Sequence, residues 1–225
     1  MVGYEEVGVT KAQRTIGVLV PLVLLLALVI GTFTWLIGYP PTVQAATKSP
    51  GEVNVHMQTV GSMGNGPHPT WVSYLIQQPD GSWSHTTVLQ VPANATVHMT
   101  IDQYDTGSTL RNPLLNQAQG VTDAAVNGQP YNVWTGVIGH TFTIPELGVS
   151  VPLPGIPDDA TNQCGEAPCS KTTSDHNTVT FTFKTGDPGT YTWQCFVPCA
   201  VGYIAGFGGP MATLGYMNGM LKVVA

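Results

Sequence analysis

The chain has 225 residues, room for one ordinary domain beside a membrane segment and too little for a multidomain enzyme. Apolar residues make up 43%, enough for a core, but charged residues only 9%, where a soluble domain carries about 25%. Seven Lys and Arg stand singly among thirteen Asp and Glu, so no basic stripe is available to neutralise phosphates, and nucleic-acid binding is excluded.

Residues 1–15 form a short N-terminal segment, followed at 16–37 by the one long apolar run, which is free of charge and holds fifteen Ile, Val, Leu or Phe. At about 1.5 Å per residue it reaches roughly 33 Å, the thickness of a hydrocarbon core, so it is expected to span a membrane as a helix. Pro21 sits one turn inside, where local adjustment can satisfy the freed carbonyl. A cleaved secretory signal is the competing reading, and Val43-Gln44-Ala45 offers a small-residue pattern for it. The run is longer than the usual signal core, which favours the anchor. Lys11 and Arg14 precede it and only Lys48 follows closely, which places the N-terminus in the cytoplasm and everything after a linker at 38–50 outside the cell membrane. Trp35 and Tyr39 are the expected interfacial aromatics.

Residues 51–225 show no sustained helical period. Short β-branched or alternating runs recur instead, near 53–60, 70–77, 86–91, 96–101, 133–144, 178–184, 190–195 and 220–224. The clearest is Thr178-Val-Thr-Phe-Thr-Phe-Lys184, with Val179, Phe181 and Phe183 on one side and threonines on the other. Pro79-Asp80-Gly81 is a turn. The pattern is all-β, an antiparallel Greek-key sandwich. Asp102–Gln129 and Pro152–Asn177 are long connections of little periodicity, expected to serve as docking surfaces or lids. Sparse charge also predicts a fold that survives an acidic exterior, near about pH 2 to 3, because few carboxylates are lost on protonation; a domain packed among other subunits would need equally little surface charge.

All four cysteines lie in the outer domain, on the oxidising side. Cys164-Gly-Glu-Ala-Pro-Cys169 is a small ring in a turn-rich loop and reads as a local disulfide, worth about 2 kcal/mol on the chain-entropy model. A metal knuckle there would have only His176 as a further ligand. His56, His68, His85 and His98 lack ligand partners at suitable spacing. No phosphate loop, dinucleotide fingerprint or nucleophile beside a local base is present.

The informative group is His140 in Gly139-His-Thr-Phe-Thr-Ile-Pro-Glu-Leu-Gly148, with Cys195-Phe-Val-Pro-Cys199 at the end of a strand. With the anchor, the segment from His140 to Pro154, the Pro188-Gly189-Thr190-Tyr191 approach and the last strand Gly219-Met-Leu-Lys-Val-Val224, the chain resembles subunit II of the haem-copper respiratory oxidases, in the branch with one transmembrane helix and a cupredoxin domain outside. The resemblance implies a cupredoxin-like Greek-key sandwich. In that family Cys-x-x-x-Cys-x-x-x-His-x-x-Met and an upstream His hold a dinuclear copper centre. By resemblance His140 matches the upstream imidazole, Cys195 and Cys199 the bridging thiolates, and Val197 a carbonyl ligand. Tyr203 and Gly206 stand where the second His and the Met belong, and an apparent insertion from Ile204 to Tyr216 delays any thioether to Met211, Met217 or Met220.

Phenol does not replace imidazole at a copper–thiolate centre, so the dinuclear site is expected to be lost, with no cofactor on this chain and Cys195 and Cys199 closed as a second disulfide. The chain would then be a non-catalytic subunit of a quinol-type terminal oxidase, bracing subunit I, which carries haem and copper, and other membrane subunits; quinol or a small redox protein would be the donor. One rival is a copper-bearing electron-transfer subunit with His140, Cys195, Cys199 and a late methionine such as Met217 as ligands. Another is a membrane-anchored structural or adhesion protein. Glu5 and Glu6, at the cytoplasmic entrance of the helix, match by resemblance a carboxylate that helps feed protons to subunit I; the plain reading is acidic residues favoured by the helix dipole.

Overall fold

The structure, a computed structural model, describes residues 10–37, 41–199 and 208–225. The chain divides into two compact units, one up to Tyr39 and one from Pro40 onward.

The first unit is helix α1 (Lys11–Ile37). It begins before the apolar run because Thr10 and Gln13 cap it reciprocally: the Gln13 N–H donates to Thr10 Oγ1 at 3.3 Å and the Thr10 N–H to Gln13 Oε1 at 2.9 Å. Within α1, Thr15–Phe33 has a mean hydropathy of 2.8 and none of it is buried in the protein, so this helix is long and apolar enough to cross a membrane.

Among its described residues the second unit has fourteen strands: β1 (Thr42–Gln44), β2 (Ala46–Ser49), β3 (Glu52–Val60), β4 (Ser73–Gln77), β5 (Trp83–Ser84), β6 (Val88–Pro92), β7 (Thr96–Gln103), β8 (Thr122–Val126), β9 (Gln129–Pro130), β10 (Ile138–Ile144), β11 (Val149–Pro154), β12 (Asn177–Lys184), β13 (Gly189–Gln194) and β14 (Asn218–Val224). One sheet runs β1-β6-β14-β13-β10-β11 and the other β5-β4-β3-β7-β12-β8-β9, with β2 paired on β3. Their inner faces share one core, in which Tyr74 of the second sheet meets Trp193 of the first edge to face at 4.8 Å and Phe181 lies 5.8 Å from Phe142. The result is an all-β sandwich. On β12 the expected alternation holds, with Val179, Phe181 and Phe183 buried between half-exposed threonines.

The sheets are mixed and not purely antiparallel as expected, since β3 pairs with β7, and β6 with β1 and β14, in parallel. Each strand expected from the sequence overlaps an observed one, but β11 was hidden by its two prolines. As the last strand of its sheet it presents an edge, where a missing N–H leaves no neighbour unpaired.

The long connections have defined roles. Residues 155–176 cover the outer side of the second sheet, where Val60, Met63, Leu75, Tyr104 and Cys169 form a smaller core. The buried Gln58 amide holds that loop by donating to the Cys169 carbonyl at 2.8 Å and accepting its N–H at 2.9 Å. The Cys164–Cys169 disulfide is formed as expected, with Cα atoms 5.8 Å apart. Beside it, the fully buried Asp102 receives Lys171 at 2.7 Å, His56 at 2.7 Å and the Thr178 hydroxyl at 2.9 Å.

Candidate metal centre

β10 and the end of β13 create the site. Between Ile138 and His140 the register of β10 on β11 shifts by one, so Gly139 forms a bulge. A bulge re-aims the side chain beside it, and here that side chain is His140, 1% exposed. A side chain at 139 is impossible without movement, because its Cβ would lie 2.1 Å from Gln103 Nε2 and 2.6 Å from the Thr106 carbonyl oxygen. The cysteine loop is stitched to the same strand: the Phe196 N–H donates to Thr141 Oγ1 at 2.8 Å, the Thr141 N–H points at Cys195 Sγ at 3.4 Å, and the Tyr74 hydroxyl donates to the Thr141 carbonyl at 2.9 Å.

His140 Nδ1 lies 3.0 Å from Cys199 Sγ and 3.8 Å from Cys195 Sγ. The two sulfurs are 3.4 Å apart, and the Val197 carbonyl oxygen faces both, at 3.1 Å from Cys199 and 3.6 Å from Cys195. The expected second disulfide is therefore absent, and Cys195 and Cys199 are free thiols. The physical reason is direction: both side chains turn toward the imidazole and the Val197 carbonyl, so the sulfurs share a centre without bonding to each other. Among the described residues this is the group of His, Cys, Asp or Glu able to hold a metal, with its ligand atoms all within 4.8 Å of one another. A tetrahedral ion with sulfur at about 2.3 Å and nitrogen at about 2.0 Å keeps its donors roughly 3.5–3.8 Å apart, so a small spreading of this cluster accommodates one ion. Two thiolates and an imidazole form a soft donor set suited to copper or zinc. The residues present fit a metal, which favours the copper-bearing alternative over the expectation of no cofactor on this chain.

Charge in the cluster is interdependent. Burial disfavours the Cys195 thiolate, but bonds from Cys199 and His140 outweigh it and bring its pKa well below the ordinary thiol value, while the bond to Cys195 and burial push Cys199 up. Ionisation of one sulfur therefore depends on the other, and a metal that binds them both displaces protons. Burial opposes protonation of His140, yet its bonds to Asp105 and Cys195 raise its pKa to about 9. Tyr74 is pushed up by burial and by the two cysteines, so its phenol stays neutral.

Met217 is fully buried in the main core, and its carbonyl accepts the Cys195 N–H at 3.0 Å. Met211 is likewise fully buried, and Met220 lies on β14. Glu5, Glu6, Tyr203 and Gly206 lie outside the described residues. The other histidines stand apart from the centre: His56 on Asp102, His98 between Lys48 at 3.3 Å and Thr182 at 3.3 Å, His68 stacked on Trp71 at 3.7 Å, His85 edge to face with Tyr216 at 5.0 Å, and His176 at the Ser174 carbonyl at 3.0 Å. Of these, His56 lies in the middle of β3. One residue at the centre had no sequence signal. Asp105, in the connection after β7, places Oδ2 3.2 Å from His140 Nε2.

No family model matches the chain, and no curated protein matches it. Among solved structures, similarity is found to rusticyanin from Thiobacillus ferrooxidans, at 17% identity over 86% of this chain and 93% of that one, with a TM-score of 0.33. Another structure of the copper protein rusticyanin gives 18% identity over 87% and 94%, with a TM-score of 0.34. The metal binding domain of the Cu(I)-exporting P-type ATPase CopA of Streptococcus pneumoniae, with Cu(I), gives 11% over 84% and 100%, with a TM-score of 0.35. The sandwich architecture is established by the strand pairing itself.

Proposed function

We propose that the β unit is a copper-binding electron-transfer module, held at the outer face of the cell membrane by α1 with the N-terminus in the cytoplasm, and that it serves a haem-copper terminal oxidase as a subunit II-like component. The observation that carries this reading is the convergence of His140 Nδ1 and two unpaired thiols on one point faced by the Val197 carbonyl. Copper, when bound, supplies a one-electron couple. The chain's own part is to hold two sulfurs and one nitrogen in a buried wall, where small structural change accompanies electron exchange. Met217, tied to the thiol strand through its carbonyl, is the proposed thioether. With a single imidazole presented, the expected load is one copper and not a pair.

Support for the membrane placement is the exposed apolar length of α1 together with Lys11 and Arg14 ahead of it. The oxidase assignment rests on the resemblance of the motifs around His140, Cys195 and Cys199. Purification of the native complex from membranes, followed by subunit, haem and metal analysis, tests both. Co-purifying haem subunits and copper above the content of subunit I are the expected result. Haem without that copper would return the chain to a bracing role in a quinol oxidase. A chain isolated without haem partners would leave a stand-alone surface protein.

A further inference from the structure

We propose that Asp105 is the positioning residue of the metal centre: its carboxylate accepts a hydrogen bond from the His140 Nε2–H, fixing the ring so that Nδ1 is presented to the two sulfurs. The inference rests on the metal-binding reading above. His140 is 1% exposed, so a buried Nε2–H without an acceptor would be costly, and Asp105 Oδ2 at 3.2 Å supplies one. A carboxylate behind a ligating imidazole also makes the opposite nitrogen a stronger donor.

The carboxylate is itself held from several directions. Asp105 Oδ1 accepts the Thr106 N–H at 2.8 Å. Gln103 closes a ring on the Asp105 backbone, accepting its N–H at 2.6 Å and donating to its carbonyl at 2.9 Å. The same carbonyl accepts the Ile156 N–H at 3.0 Å, and the Thr59 hydroxyl fixes Gln103 Oε1 at 3.0 Å. Close approach of this turn to β10 is possible because two facing residues lack side chains. A Cβ on Gly107 would fall 2.5 Å from the Ile138 carbonyl carbon, and one on Gly139 would strike Gln103. Strand β7 and its following turn are therefore shaped around the back of a ligand that lies 35 residues further along the chain.

The test uses the full chain in detergent, as wild type, Asp105→Asn and Asp105→Glu. Cobalt(II) serves as the probe metal, because its sulfur-to-metal absorption reports thiolate ligation. Asp105→Asn is expected to bind cobalt about 10–100-fold more weakly in chelator competition, the usual cost of losing such a partner, with Asp105→Glu recovering part of the loss and the metal-free melting temperature little changed. A metal-free readout stands beside it: the His140 Nε2 proton resonance, downfield and slow to exchange in wild type, moves upfield or exchanges freely in Asp105→Asn. Affinity within twofold of wild type, or an unmoved Nε2 resonance, overturns the inference. Wild type that takes up no cobalt overturns the metal-binding reading instead, and the proton resonance then decides the orienting role by itself.

Discussion

His140, Cys195, Cys199 and Val197 meet because of one backbone irregularity and one short loop, and both depend on single residues. At Gly139 even an alanine carries its Cβ into Gln103 and the Thr106 carbonyl. Gly139→Ala is therefore expected to cost on the order of 1–3 kcal/mol, the usual range for overpacking a tight site, and to weaken metal uptake together with stability; thermal melting and cobalt titration of the same preparation check it. Cys195→Ser should act differently, weakening the sulfur-to-metal absorption to that of the one remaining thiolate, Cys199, while leaving the metal-free fold close to wild type. Retention of the full band in that variant would mean the metal sits elsewhere. The grouping of His140, Cys195 and Cys199 was legible in the sequence because a Cys-x-x-x-Cys loop and a strand histidine are recognisable types at recognisable spacing. Two things were not. The state of the thiols depends on which way each side chain turns, and Asp105 belongs to a connection whose path across β10 is set by glycines that look like any others.

At the scale of elements, alternation of apolar and polar residues disclosed the long strands, and β12 is the plainest case. It failed at β11, where prolines marked an edge and not an absence of strand, and at the short β1, β2, β5, β8 and β9, which are too brief to carry a period. The Pro152–Asn177 connection, read as a docking surface or lid, covers a small core beyond the end of β11, and besides the Gln58 bonds two features hold it. One is the disulfide: replacing Cys164 and Cys169 by serine is expected to cost about 2 kcal/mol, read as a lowered denaturant midpoint with unchanged slope. The other is Asp102. Burial alone would raise its pKa, but His56, Lys171 and Thr178 together lower it below the ordinary carboxylate value. A carboxyl group whose folded pKa is depressed contributes stability above its unfolded pKa, about 3.9, and loses that contribution as pH falls through the folded value. Asp102→Asn should accordingly destabilise the protein at pH 6 to 7, on the order of 1–3 kcal/mol because His56 and Lys171 are partly solvated, with the gap to wild type closing below about pH 4. Parallel melting curves for the two proteins across pH 2 to 7 provide the check.

For the whole molecule, composition was informative before any element was. A net charge of −6 spread over few ionisable groups, with the buried Asp102 carboxylate held by Lys171, His56 and Thr178, leaves little for acid to disrupt. The emission of buried Trp193 should stay blue-shifted down to about pH 3, and cooperative exposure above pH 4 would refute acid tolerance. The long apolar helix and the all-β unit were both evident from the chain, the first by length and the second by period. The parallel pairings of β3 with β7 and of β6 with β14 were not, because they join strands distant in sequence that no local pattern connects. The central claim is that the free thiols and His140 bind copper. Anaerobic titration of the metal-free full-length chain with copper, followed by absorption of the oxidised form and a thiol count, tests it most directly. One copper per chain with an intense sulfur-to-copper band is the predicted result; a colourless protein in which Cys195 and Cys199 are joined as a disulfide and no copper is retained would contradict it.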